Sequence, residues 1–124
     1  MWGSGEGDRL PYQSRYSATK AALNALSLSL RYEYWDEHIK ISSATPGTTA
    51  AAIFGDVKPP RSAQTPFQSV SRILNGVVHN DRVILGDDPD ADGAKDCFDP
   101  NVQEGKDQYF LNVARQRREG TIVF

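Results

Sequence analysis

One cysteine, Cys97, is all the sequence contains. A single thiol cannot close a disulfide within the chain, so a disulfide-framed fold is excluded and a reducing compartment suits the composition. Nothing beside Cys97 in the sequence would hold it as a reactive thiolate. Charge of one sign is also missing. The chain has 14 Lys and Arg against 16 Asp and Glu, a net of −2. That balance argues against nucleic acid or an anionic membrane surface as the main partner. No apolar run approaches the roughly 20 residues of a membrane span, and no signal-peptide core opens the chain. A cytoplasmic location is the default expectation. Histidine is scarce, and His38 and His79 stand at no metal-ligand spacing, so no metal site is expected.

What is present is an ordinary globular composition, 39% hydrophobic over 124 residues, enough for one domain with a modest core. Gly3, Gly5, Gly7 and Pro11 make the first 13 residues loop-like. A helix capped by Ser14 is predicted to run to about Asp36, with Leu23, Leu26, Leu30 and Tyr34 as an apolar stripe. "IKISSA", residues 39–44, reads as a buried strand stopped by Pro46-Gly47. Residues 48–64 read as a long loop with a short helical piece near Ala50–Phe54. In "TPFQ", Thr65 caps a second helix, Pro66 suits its first position and Gln68 completes a capping box. Its apolar face is Phe67, Val70, Ile73, Leu74, Val77 and Val78. "RVILG", residues 82–86, is a second strand. Residues 87–106 read as an acidic loop and residues 107–120 as a last helix. Alternating helices and short apolar strands predict an α/β fold with a parallel sheet. A doubly wound sheet of six strands needs about 180 residues, so the chain is expected to be one partial domain, the end of something longer.

Tyr16 and Lys20 lie four apart at the start of the first helix and so share a face. An ammonium beside a phenol favours the phenolate and makes the hydroxyl a usable proton donor or acceptor. The plain alternative is a surface lysine beside a tyrosine. The surroundings add weight. "YSATKAALNALSLSLRYEY" followed by "IKISSATPGTTAAAIF" resembles the C-terminal half of a short-chain dehydrogenase/reductase, with agreement over about residues 3–86.

That resemblance implies the C-terminal portion of a Rossmann-like doubly wound sheet and an oxidoreductase that interconverts an alcohol and a carbonyl with NAD or NADP. Tyr16 would be the general acid/base on the substrate oxygen. Lys20 would assist Tyr16 and hold the nicotinamide ribose. Pro46, Gly47, Thr48 and Thr49 would lie along the nicotinamide. Ser4, 12 residues before Tyr16, is the candidate for polarising the substrate oxygen, the alternative being an ordinary loop serine. The family often forms homo-oligomers through the Tyr16-containing helix.

The sequence departs from the family in three ways. The Gly-rich dinucleotide fingerprint is missing, since "GSGEG", residues 3–7, follows no strand. The residue that chooses between NAD and NADP is missing with it. Ala51 stands where the family commonly has a threonine. The N-terminal nucleotide-binding half is therefore expected to be lacking, and the alternative function is an inactive relative serving as an interaction module. A third idea is calcium binding by "DPDADGAKDCFD", residues 88–99. Asp88, Asp90, Asp92 and Gly93 match the start of a calcium loop, but Lys95 and the short Asp99 do not.

Overall fold

The computed structural model describes residues 11–121. Helix α1 spans Ser14–Glu33. Its Ala- and Leu-rich run contains no Gly or Pro, which keeps the helix going. It passes at Tyr34 into a 3-10 turn, Trp35–Glu37, that His38 ends in the left-handed region. Ser14 is the first helical residue, and Gln13 stands at the cap without a side-chain bond. Strand β1 is Ser43–Thr45 and strand β2 is Val83–Leu85. They pair in parallel, with Ser43 opposite Val83 and Thr45 opposite Leu85. Helix α2, Pro66–Val78, joins them. Helix α3 is Asp88–Asp96 and helix α4 is Gln103–Arg118.

The sheet has a helix on each face. Side chains alternate along a strand, so Ser43 and Ile84 point to opposite sides of the paired strands. The Ser43 hydroxyl donates to the Asn24 side chain of α1. On the other side Gly76 of α2 sits over Ile84, where an added Cβ would come within 2.7 Å of that side chain. An α/β arrangement with helices on both faces of a parallel sheet follows, compatible with part of a Rossmann-like fold.

Several expectations change. Strand β1 begins at Ser43 rather than residue 39, because the Ile41 carbonyl accepts from the Arg31 guanidinium instead of joining a ladder. The acidic stretch is mostly helix rather than loop. Asp87 caps α3 by accepting from the Asp90 N–H at 2.8 Å, Pro89 fits the first turn, and Asp88 and Asp90 favour its positive end. A helix rotates each alternate residue by about 200°, so Asp88, Asp90 and Asp92 cannot converge as a calcium loop requires. Helix α4 accordingly starts at Gln103, after a 3-10 turn over Pro100–Val102. The short helical piece near residue 50 is a 3-10 turn at Ala52–Phe54.

Burial does not follow the apolar stripes. The inward face of α1 is Ser17, Asn24 and Arg31, while Leu23 and Leu26 are more than half exposed. The inward face of α2 is Ser69 and Gly76, and Phe67 and Val78 are about 80% exposed. Among the described residues only Ile84 and Val113 are buried apolar side chains. No helix among them is long and apolar enough to cross a membrane.

The capping box of α2 is present in full. The Thr65 hydroxyl accepts from the Gln68 N–H, and the Gln68 side chain accepts from the Thr65 N–H at 2.8 Å. Thr65→Ala is expected to cost about 1 kcal/mol, read as a lowered urea midpoint at unchanged slope. Loss below a few tenths of that would mean water replaces the cap.

Candidate active site

Parallel strands present their following loops at one edge, and in open α/β sheets ligands bind there. Here that edge holds Pro46–Thr49 after β1 and Gly86-Asp87 after β2. Thr45 and Leu85 are register partners, so the two loops leave the sheet side by side. Gly86 permits the approach: a Cβ there would collide with the backbone of Thr45 and Pro46. Gly47 turns the chain with φ of +70°, a conformation that glycine adopts without strain.

The Pro46–Thr49 turn is held from several sides. The Pro46 carbonyl accepts from the Gln64 side chain, from the Ser69 hydroxyl at 2.9 Å and from the Thr49 hydroxyl at 3.2 Å. The Thr48 N–H donates to Asp87 Oδ2 at 2.8 Å. The Gln64 N–H donates to the Thr48 carbonyl, and the Ala50 N–H donates to the Gln64 carbonyl, both at 2.9 Å. These two bonds make Thr49 and Gln64 a parallel bridge. The strand alternation then directs the N–H and C=O of Thr49 itself away from Gln64. One donor and one acceptor, side by side on a fixed backbone, match a primary carboxamide.

Tyr16 and Lys20 reach the same edge through the direction of α1. Asn24 meets Ser43, and Arg31, further along the helix, meets the earlier Ile41. The helix therefore runs antiparallel to β1. Tyr16 is eight residues before Asn24, about 12 Å at 1.5 Å per residue. Pro46 is three residues past Ser43, about 10 Å at 3.3 Å per residue. By these rises the two stand at about the same level along the strand direction. Tyr16 is half-buried and Lys20 exposed, with Lys20 Nζ 5.6 Å from the centre of the Tyr16 ring. An ammonium at that range is held by the ring face. Arg117 of α4 donates to the Pro11 carbonyl at 2.8 Å and anchors the chain just ahead of α1. Ser4 lies outside the described residues.

Asp87, Gln64 and Gly86 were not singled out by the sequence reading, although they shape this edge. The available signal was a Gly-Asp directly after a strand and one residue before an Asp-Pro pair. Asp90, also buried, sits behind them. Burial raises its pKa above the ordinary carboxylate value, Asp87 adds to that, and the Thr45 hydroxyl opposes it. A raised carboxylate pKa means that the fold prefers the protonated form. Stability from this group is full below the ordinary carboxylate value and falls as pH rises through the raised one. Asp90→Asn should therefore flatten the pH dependence of the urea midpoint in that window. An unchanged slope would remove Asp90 as its source.

Two hollows among the described residues lie elsewhere. One, of about 500 Å³, is lined by Cys97, Phe98, Lys106 and Phe110 among others. One of about 310 Å³ lies beside Gly76 and Ile84. Among known proteins, the family model described as short chain dehydrogenase matches residues 3–62. That span contains Ser4, Tyr16, Lys20 and Pro46–Thr49. No curated protein and no solved structure gives a significant match.

Proposed function

We propose that the chain, whose residues 3–62 match the short chain dehydrogenase family model, is an oxidoreductase of that family that interconverts an alcohol and a carbonyl with NAD or NADP. The observation that carries this reading is the antiparallel run of α1 along β1. Counted along the helix and the strand from the Arg31–Ile41 and Asn24–Ser43 contacts, Tyr16 and Lys20 would stand near the level of the Pro46–Thr49 turn.

In this reading the nicotinamide gives or takes the hydride when bound. The chain's own residues do the rest. The Thr49 backbone pair and the Thr48 and Thr49 hydroxyls face the carboxamide, and Pro46 and Gly47 flank the ring. The Tyr16 hydroxyl donates a proton to the carbonyl oxygen during reduction and accepts it back during oxidation. Lys20, already 5.6 Å from the centre of the Tyr16 ring, assists Tyr16 and reaches the ribose hydroxyls. Ser4 hydrogen-bonds the substrate oxygen. The pyrophosphate and adenosine are assigned to a nucleotide-binding half that these residues do not supply. Turnover of small aldehydes and ketones with NADH or NADPH, followed by nicotinamide absorbance, tests the proposal. No turnover by the native protein with either cofactor would sink it.

The second reading is an interaction module without turnover. It is favoured by the exposure of Leu23 and Leu26 on α1 and of Phe67, Val70, Leu74 and Val78 on α2. Apolar stripes of that extent mark surfaces that another chain covers. Homo-oligomers joined through the Tyr16-containing helix fit either reading, and sedimentation of Leu23→Glu against the native chain tests them. An unchanged mass would exclude that helix from the contact.

A further inference from the structure

The Pro46–Thr49 turn is tied to the rest of the molecule mainly by bonds from its own loop and α2. One tie is of a different kind. Asp87 is 8% exposed and comes from the loop after the neighbouring strand, 39 residues along the chain. Both of its carboxylate oxygens are in use. Oδ2 accepts from the Thr48 N–H and Oδ1 from the Asp90 N–H, each at 2.8 Å. One rigid carboxylate therefore joins the turn to the first turn of α3.

The seat for this carboxylate is made by two glycines. A Cβ on Gly47 would collide with Asp87 Oδ2 and lie 2.6 Å from its Cγ. A Cβ on Gly86 would drive the Asp87 segment off the Thr45–Gly47 backbone, ending 2.6 Å from the Gly47 nitrogen. Neither glycine is needed merely to end a strand. Together they allow a buried carboxylate to pass under the turn. A carboxylate is also the group that fits chemically, because both positions it faces are N–H donors and only an acceptor on each side satisfies them. Asparagine has nearly the same shape but offers one acceptor. Its amide N–H₂ must face one of the two backbone donors.

We propose that Asp87 is the positioning residue of the Pro46–Thr49 turn, fixing the turn to α3 so that the outward backbone of Thr49 is presented in one geometry to the nicotinamide carboxamide. The ligand part rests on the oxidoreductase reading; the positioning of the turn does not. Asp87 touches no reacting atom in this scheme. It acts through Thr48 and Thr49.

Asp87→Asn separates this role from general stability, because asparagine is a good helix cap and can keep the Asp90 bond while losing the Thr48 bond. The expected result is at least about tenfold faster amide exchange at Thr48, with the α3 amides little changed. In turnover, the KM for NADH or NADPH rises about tenfold while kcat changes less. Asp88→Asn, at an exposed neighbouring carboxylate paired with Arg72, should change neither. Unchanged Thr48 exchange in Asp87→Asn overturns the proposal. So does faster exchange without a change in cofactor KM. If the native protein shows no turnover with NADH or NADPH, the oxidoreductase reading fails separately, and exchange alone decides: loss of Thr48 protection supports Asp87 as the positioning residue, and its retention overturns it. Should Asp87→Asn fail to fold, the native protein supplies the answer. Thr48 and Asp90 amides joined by one carboxylate should exchange with a common denaturant dependence, and independent exchange would refute the tie.

Discussion

Tyr16→Phe is expected to lower the rate of carbonyl reduction by about a thousandfold, within the range that a positioned proton donor supplies. The ring remains, so its contact with the Lys20 ammonium remains, and the packing of the half-buried position is kept. Only the hydroxyl is lost. Cofactor affinity should therefore stay within about twofold, and the loss should fall on kcat and on kcat/KM alike, as expected for an interaction made in the transition state. Lys20→Ala removes the cation as well as the stem over the ring. It should lower the rate and weaken the cofactor together, because the proposal gives it both the tyrosine and the ribose. Single-turnover hydride transfer, measured beside cofactor binding, separates the two patterns. A Tyr16→Phe protein that reduces substrate within a few-fold of the native rate would remove Tyr16 from the chemistry. The site would then need another proton donor at the carboxyl edge of the sheet.

How much of this site was legible in the sequence depends on how local each signal is. The Thr65, Pro66 and Gln68 cap was legible because every atom of it lies within four residues. Tyr16 and Lys20 on one helix face, and the stop at Pro46-Gly47, were legible for the same reason. The inward face of α1 was not. Hydrophobic spacing points to Leu23, Leu26 and Leu30, but Asn24 and Arg31 turn inward because their partners wait there: Ser43, Ile41 and Asn80. Those partners are up to 49 residues away, and no window of sequence contains them. The acidic stretch failed in another way. Its cap signal, Asp87 before Pro89 and Asp90, is local, but the density of carboxylates made the stretch read as a solvated loop. Asp87 itself could not be read from the sequence, because its importance comes from the Thr48 N–H that the sheet register brings beside it.

Arg31→Ala should damage the fold severely, at about 3 kcal/mol or more. Arg31 is 5% exposed. Its guanidinium donates to the Ile41 carbonyl, to the Asn80 side chain at 3.0 Å and to the Asn80 carbonyl at 2.7 Å. It also lies 5.2 Å from the centre of the Trp35 ring. Alanine would leave those acceptors without their donor and a void where the side chain was, and each lost bond to a charged donor is worth about 1.5–3 kcal/mol. The three do not add in full, since water can enter beside Asn80. The damage should reach the site. Arg31 and Asn24 are two points among the described residues that set the direction of α1 along β1, and with Arg31 gone one of them is lost. Tyr16 then loses its level with the Pro46–Thr49 turn. Arg31→Lys keeps the charge and one donor direction but not the planar fork, so it should recover less than half of the loss. Urea unfolding at constant slope checks the stability. A loss below about 1 kcal/mol would mean that α1 is held by contacts other than this guanidinium.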